Sequence, residues 1–381
     1  MRIGFDAKKA MLNLTGIGNY SRRCINSLSQ VSTGDVFLLF APSECNKLAV
    51  EQVMTQNVSI VTPMKLSKSC AIIYELWRNF ISWWSIRKYK IDIFHGLSNE
   101  LPFGIRYAGC KSVVTIHDLI FLRYPHTYSM LQRVILRIKT LYACKKADKI
   151  VAISNCTKMD ILNYYHVPEQ KIEVIYQSIN PIFFAPIKTD RKGSILEKYE
   201  IRNPFILCVG TIEERKNQKV LINAVPMLND KVQVIIVGKR TSYQCYLQQI
   251  ISEKKLSGKV LILNDVSNVD LVYLYHQAIL SVYISIYEGF GLPVVEALAT
   301  GCPVIAAKGS CLEEAGGKDT WYVNPHDAEE LAQSINLLLN NQVQRELMSK
   351  KGRKYAERFR DSVMAENLMH LYSQMKGRKD E

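Results

Sequence analysis

The sequence predicts an α/β protein made of two doubly wound parallel sheets with helices on their faces. Short β-branched runs alternate with longer helical patterns, as parallel strands joined by crossover helices require. The alternation stops once, between Asn180 and Asn203, in a stretch rich in Pro, Lys and Gly, and then resumes. The length of 381 residues exceeds the usual size of one hydrophobic core, and 48% hydrophobic residues supply enough apolar side chains for two.

In the first half the expected strands are Arg2 to Asp6, Val36 to Phe40, Ile91 to His95, Ser112 to Ile116, Lys149 to Ile153 and Ile172 to Ile175. In the second they are Phe205 to Val209, Val232 to Val237, Val260 to Leu263, Leu280 to Ile284 and Val304 to Ala306. Beyond Asp327 the pattern is helical through Met375, more helix than one further crossover needs. The expected organisation is a first domain at 1–185, a linker at 186–203 and a second domain at 204–357. A last helix, at about 358–378, is expected to reach back onto the first domain. Ligands of open α/β sheets gather at the carboxyl ends of strands, so the residues that follow strands carry the information.

Composition narrows the function classes. The ten cysteines are scattered, with no C-x-x-C pair and no His at zinc-ligand spacing, and read as reduced residues of a cytosolic protein. The opening Met1-Arg2-Ile3-Gly4-Phe5-Asp6-Ala7 reads as a buried strand and not as a secretory signal. The apolar stretches Cys70 to Trp84 and Val269 to Tyr287 are broken by Glu75, Arg78, Asp270 and His276, which makes them poor bilayer spans. The net charge of +14 is uneven, since residues 1–185 hold 23 Lys and Arg against 12 Asp and Glu. Such a half suits nucleic acid, an anionic membrane surface or a phosphate-bearing acceptor, and equally a merely solubilising surface. No recognition motif accompanies the charge, so nucleic acid is not an expected partner.

Four groups of residues follow strands. Thr15-Gly16-Ile17-Gly18 leads into a helix from about Gly18, where glycines let backbone amides approach a phosphate. Arg22 or Arg23 stands where a third glycine of a dinucleotide fingerprint would be, which makes a nicotinamide enzyme less favoured. His117-Asp118 puts an imidazole and a carboxylate at a strand end. Gly210 to Asn217 carries Arg215 and Lys216 at a helix start, where cations oppose the macrodipole unless an anion lies between them and the amides. The most specific group is Glu288-Gly289-Phe290-Gly291-Leu292-Pro293-Val294-Val295-Glu296. Its glycines would expose amides at the start of a short helix, a nest for a diphosphate, with one carboxylate before the turn and one in it.

At these residues the sequence resembles the retaining glycosyltransferase family 4, which has two facing Rossmann-like domains, the GT-B fold, with a cleft between them. The glycine loop at Gly16 and Gly18, the His117-Asp118 pair, the Arg215-Lys216-Asn217 turn and the glutamates Glu288 and Glu296 occur in the family's order. Segments Phe94 to Pro102 and Gly309 to Glu314 are similar to its mannosyltransferase-like branch. The resemblance implies a nucleotide-sugar donor on the second domain, its diphosphate held by Arg215, Lys216 and the amides of Phe290, Gly291 and Leu292. Gly210 would border it, Glu296 would bind the ribose, and Glu288 and His117 would contact the transferring sugar. It also implies catalysis by His117, Glu288, Arg215 and Lys216 with no metal and no cofactor, and no D-x-D metal motif is seen. Many family members carry Arg where this chain has Thr211, which leaves Arg215 to supply that charge.

The expected activity is retaining transfer of a hexose, first mannose from GDP-mannose, to a saccharide or lipid-linked saccharide acceptor of a bacterial surface polysaccharide. UDP-glucose and UDP-N-acetylhexosamines stay open as donors. The rival readings are a nucleotide-sugar-binding homologue without transfer and an epimerase on the same fold. The expected location is cytoplasmic. Trp77, Phe80, Trp83 and Trp84 interleave with Arg78, Arg87, Lys88 and Lys90, which reads equally as peripheral contact with the inner face of an anionic membrane and as a buried helix face.

Overall fold

The computed structural model describes residues 1–62, 71–187, 192–201, 204–228 and 232–377. The chain divides into two compact units, Met1–Ser178 with Asp361–Glu381, and Ile179–Arg360. Pro186, Ile187 and the described residues 192–201 thus fall within the second unit.

Among the described residues the first unit holds a seven-stranded parallel sheet. Its strands are β1 (Arg2–Asp6), β2 (Val36–Phe40), β3 (Val58–Val61), β4 (Ile93–Gly96), β5 (Lys111–Ile116), β6 (Lys149–Ala152) and β7 (Ile172–Val174), in the order β3-β2-β1-β4-β5-β6-β7. Successive side chains point to opposite faces of a strand, and β2 shows the consequence. Phe37 and Leu39 enter one core with Ile3 and Phe5, while Leu38 and Phe40 enter another with Phe94 and Val114. Burial of both faces explains why these strands read as continuous apolar runs.

Among the described residues the second unit holds a six-stranded parallel sheet of β8 (Phe205–Val209), β9 (Gln233–Val237), β10 (Val260–Leu263), β11 (Leu280–Tyr283), β12 (Val304–Ala307) and β13 (Trp321–Val323). The order is β10-β9-β8-β11-β12-β13, so the winding reverses between β8 and β11, as it does between β1 and β4 in the first sheet. The two strands absent from the sequence reading, β3 and β13, are both sheet edges. They are short, four and three residues, although β7, equally short and equally an edge, was read from its apolar run.

Three long helices end the chain, Ala328–Asn340, Gln342–Ala356 and Asp361–Gly377. The last packs in the first unit against the helix Gly16–Val31. Its Met364, Ala365, Leu368, Leu371, Tyr372 and Met375 recur at helical spacing and join the core that holds Ile3 and Phe5.

Helix Gly16–Val31 begins two residues earlier than its glycines suggest, and those glycines differ in kind. A Cβ on Gly18 would lie 1.7 Å from the backbone oxygen of Asn13, whereas one on Gly16 meets nothing within 4 Å. The loop that crowds Gly18 is pinned by buried Arg22, which donates to the carbonyls of Ala10 and Asn13 at 2.7 Å each. Gly18→Ala should therefore cost about 2 kcal/mol or more in urea unfolding, through overpacking against backbone. Gly16→Ala should be neutral or stabilise by less than about 1 kcal/mol. Equal effects of the two would refute the steric assignment.

Candidate active site

The reversal point of the second sheet gathers the residues singled out by sequence. After β8 the chain passes Gly210 and Thr211 into a 3₁₀ turn, Glu214–Lys216, before the helix Gln218–Ala224. Asn217 joins turn to helix with φ of 60°, a conformation unusual outside glycine. Its side chain secures that geometry, donating to the carbonyls of Ile284 at 3.1 Å and Pro325 at 2.6 Å. The Ile286 amide donates to the Arg215 carbonyl at 2.9 Å, which ties the loop after β8 to the loop after β11.

Those ties bring both cations onto one carboxylate. Lys216 Nζ lies 2.5 Å from Glu288 Oε1, and Arg215 Nη1 lies 2.9 Å from Oε2. Glu288 Oε1 also accepts from the hydroxyls of Ser285 at 2.5 Å and Tyr283 at 3.0 Å. Arg215 further donates to the Tyr287 carbonyl, and its other terminal nitrogen pairs with Glu213 at 2.5 Å. Burial alone would raise the Glu288 pKa, but Lys216 and Arg215 outweigh it and hold the carboxyl at about 2. Burial, then Glu288, push the Tyr283 hydroxyl well above its ordinary value, so it stays a donor. The adjacent cations were expected to need an anion. Within the protein that anion is Glu288.

The loop Glu288–Gly291 is shaped from beneath. Cys311 Sγ donates to the carbonyls of Glu288 at 3.1 Å and Phe290 at 2.7 Å. Gly291, at φ of 130°, precedes the helix Leu292–Thr300, and no side chain caps that helix start. A Cβ on Gly291 would lie 2.7 Å from Leu312, which accounts for glycine there. Phe290 is buried, Leu292 begins the first turn, and Glu296 is partly exposed one turn on, while the buried Tyr275 hydroxyl donates to the Pro293 carbonyl of the same turn at 3.3 Å. The second sheet thus unites Gly210, Arg215, Lys216, Glu288, Phe290, Gly291, Leu292 and Glu296 around one reversal point.

Gly16, Gly18 and His117 belong to the first unit. His117, at the end of β5, is buried, and its Nε2 donates to the Leu97 carbonyl at 2.8 Å, which leaves Nδ1 as the acceptor. Gln177 Nε2 approaches Nδ1 at 3.5 Å, and Tyr20 packs edge-on against the ring with centroids 4.7 Å apart. Tyr20 continues a buried polar chain: its hydroxyl meets Thr115 Oγ1 at 3.2 Å, Thr115 meets His95 Nε2 at 2.8 Å, and His95 Nδ1 meets the Tyr372 hydroxyl at 2.6 Å. Burial lowers the His117 pKa to about 4, against the partial support of the Leu97 carbonyl, and burial with the neighbouring His117 lowers His95 to about 3.

Sequence reasoning missed the residues that hold these groups. Tyr283 and Ser285 sit at the end of β11, where the strand-end rule could have found them. His95 and Cys311 lie in the family-like segments Phe94 to Pro102 and Gly309 to Glu314, but neither their partners nor Tyr372 could be read locally, because they meet only through the fold. Among the described residues no three His, Cys, Asp or Glu side chains cluster as a metal ion would need.

The histidines set a pH dependence. A His whose folded pKa lies below its unfolded value of about 6.5 binds fewer protons when folded, so stability falls as pH drops from about 6.5 toward the folded value. For His117 the loss by pH 4 should approach roughly 3 kcal/mol. His117→Gln should flatten that part of a stability–pH curve measured by urea unfolding. An unaltered slope would show that His117 is not held neutral.

Two family models match the chain, one described as Glycosyltransferase Family 4 over residues 15–182 and one as Glycosyl transferases group 1 over residues 193–355. The O-antigen chain mannosyltransferase RfbU of Salmonella typhimurium is 28% identical over 335 residues, 84% of this chain and 86% of that protein. O-antigen chain mannosyltransferase B of Escherichia coli is 26% identical over 373 residues, 94% and 96% of the two chains. A glycosyltransferase of Rickettsia africae superposes with a TM-score of 0.77 at 20% identity over 99% of both chains. An Anabaena protein solved with UDP and glucose superposes at 0.75 and 19% identity, covering 98% of this chain and 100% of that one. The chain belongs to the family 4 glycosyltransferases and is a hexosyltransferase of the GT-B fold.

Proposed function

We propose that this chain is a retaining, metal-independent mannosyltransferase that moves mannose from GDP-mannose to a saccharide or lipid-linked saccharide acceptor of a surface polysaccharide. The observation that carries this reading is the cluster of Arg215, Lys216 and Glu288 beside the uncapped start of helix Leu292–Thr300. As the sugar leaves, negative charge grows on a nucleoside diphosphate, and preorganised cations and helix amides stabilise that charge without a metal. Arg215 and Lys216 take the diphosphate in exchange for part of their bond to Glu288. The carboxylate so released accepts from a hydroxyl of the transferring sugar.

The other residues follow from that placement. The amides of Phe290, Gly291 and Leu292 line the diphosphate, Gly210 borders it, and Glu296 takes the ribose hydroxyls. Arg215 supplies the charge that Thr211 does not. His117, neutral at working pH, offers Nδ1 to a substrate hydroxyl, and the turn at Gly16 and Gly18 presents amides to a phosphate. Mannose and a surface polysaccharide are favoured because the Salmonella and Escherichia relatives are named as O-antigen chain mannosyltransferases. A UDP-linked hexose is the second donor to test, since the Anabaena neighbour was solved with UDP and glucose. No helix among the described residues is long and apolar enough to cross a membrane, and we place the enzyme in the cytoplasm, peripheral on the inner face of the membrane.

Nucleotide sugars should be screened for thermal stabilisation and for transfer with EDTA present throughout. GDP-mannose should raise the unfolding midpoint, less so in Glu296→Ala and Lys216→Ala. Lys216→Ala should lower kcat/KM by about 100-fold, as loss of one charge-stabilising donor does. Stabilisation without a glycosylated product would favour the non-transferring reading, an epimerised donor without acceptor would favour the epimerase, and no stabilisation by any nucleotide sugar would remove the donor site.

A further inference from the structure

Buried hydrogen bonds run from the last helix of the chain to His117. His95 of β4 and Thr115 of β5 are fully buried, and their side chains meet across these neighbouring strands at 2.8 Å. Side chains alternate between the faces of a strand, so His95 shares its face with Ile93 and Leu97, in the core that also holds Tyr20 and Tyr372. Two residues past His95 and Thr115, each the first beyond its strand, stand Leu97 and His117. The bond from His117 Nε2 to the Leu97 carbonyl is therefore the next step along the same two strands.

Asn99 closes this corner. At φ of 60° its amide donates to the Thr115 carbonyl at 2.9 Å, and its side chain accepts from the His117 amide at 2.8 Å. Residues other than glycine keep such a conformation where their surroundings enforce it. Both ends of the His95–Thr115 bond are held as well. The Tyr372 hydroxyl meets His95 Nδ1 at 2.6 Å, the Tyr20 hydroxyl meets Thr115 Oγ1 at 3.2 Å, and the Tyr20 ring packs edge-on against His117.

A neutral imidazole has one donor and one acceptor nitrogen, so the hydroxyls on the two sides of His95 are ordered in a single sense. Removing the Tyr372 hydroxyl leaves a buried ring nitrogen without its partner and takes away that ordering. Apolar residues would fill the same core without these bonds, since replacing both partners of a buried pair is close to neutral. What the polar chain adds is a fixed place for His117. Its Nε2 is committed to Leu97, its ring lies against Tyr20, and Nδ1 faces Gln177 at 3.5 Å, long for a hydrogen bond and open to exchange.

We propose that Tyr372 and His95 are positioning residues for transfer, which act through Thr115 and Tyr20 to fix the tautomer and ring orientation with which His117 presents Nδ1 to the substrate. The last helix thereby takes part in the chemistry of the first unit. The inference rests on the proposed reading of His117 as a group that meets the transferring sugar. All four residues act through His117, and misplacing a reacting group by about 1 Å costs on the order of 100-fold in rate.

The test uses the full chain with its histidines labelled with nitrogen-15, as wild type, Tyr372→Phe, Thr115→Val and Thr115→Ser, with transfer from GDP-mannose measured in parallel. His117→Gln identifies the His117 signals. Wild-type His117 should show the Nε2-protonated tautomer. Tyr372→Phe and Thr115→Val should mix the tautomers and lower kcat about tenfold or more, with the donor KM changed less than about twofold, because the proposed donor contacts lie in the second unit. Thr115→Ser, which keeps the hydroxyl, should retain both spectrum and kcat. Thermal midpoints above the assay temperature would establish that each variant is folded, and should Tyr372→Phe not fold, the Thr115 pair decides. Variants that lose thermal stability but keep the wild-type kcat and tautomer would reduce the chain to core packing and overturn the proposal. Equal losses in Thr115→Val and Thr115→Ser would overturn it too. If His117→Gln transfers at the wild-type rate while Tyr372→Phe still mixes the tautomers, the positioning of the ring stands and the catalytic reading of His117 is what fails.

Discussion

A buried carboxylate held between two cations governs the second unit. Glu288 could not be ionised in its place alone, since removing an isolated carboxylate from water costs several kcal/mol. Arg215 and Lys216 supply opposite charge to its two oxygens, and Tyr283 and Ser285 supply hydroxyl donors. The fold makes this possible because β8 and β11 are neighbours in the sheet though far apart in sequence. The loop after one strand delivers the cations and the loop after the other delivers the anion. What results is a preformed pair of cations, and the proposed function has a diphosphate replace their present counter-ion.

The first unit works by exclusion of charge. His117 and His95 are buried, and among the described residues no carboxylate pairs with either ring, so both stay neutral, and their ring nitrogens are taken up by a backbone carbonyl, hydroxyls and an amide. The polar chain from Tyr20 through Thr115 and His95 ends on Tyr372, in the last helix of the sequence. That helix therefore does more than cover apolar surface, since its tyrosine closes the hydrogen-bond requirement of a histidine two strands from β6.

Most of the architecture could be read from the sequence because parallel strands buried on both faces leave unbroken apolar runs. The edges β3 and β13 escaped, although the equally short edge β7 did not. At the candidate site the residue types were legible and their bonding was not. Arg215 and Lys216 looked like cations awaiting a ligand, yet the partner that resolves the conflict with the helix dipole stands 72 residues on. For Arg78 the sequence left a membrane-facing and a buried helix face equally open, and the structure places it in a buried network because its partner Asp6 comes from β1.

The proposed exchange of Glu288 for a diphosphate can be tested without turnover. GDP is titrated by calorimetry, in EDTA, into the wild type and into Glu288→Gln, which keeps the shape of the side chain and removes the competing anion. Tighter binding of GDP by the variant, by about tenfold, is the expected result, because like-charge repulsion at the phosphate site is relieved. Weaker or unchanged binding would contradict it and return Glu288 to a purely structural ion pair.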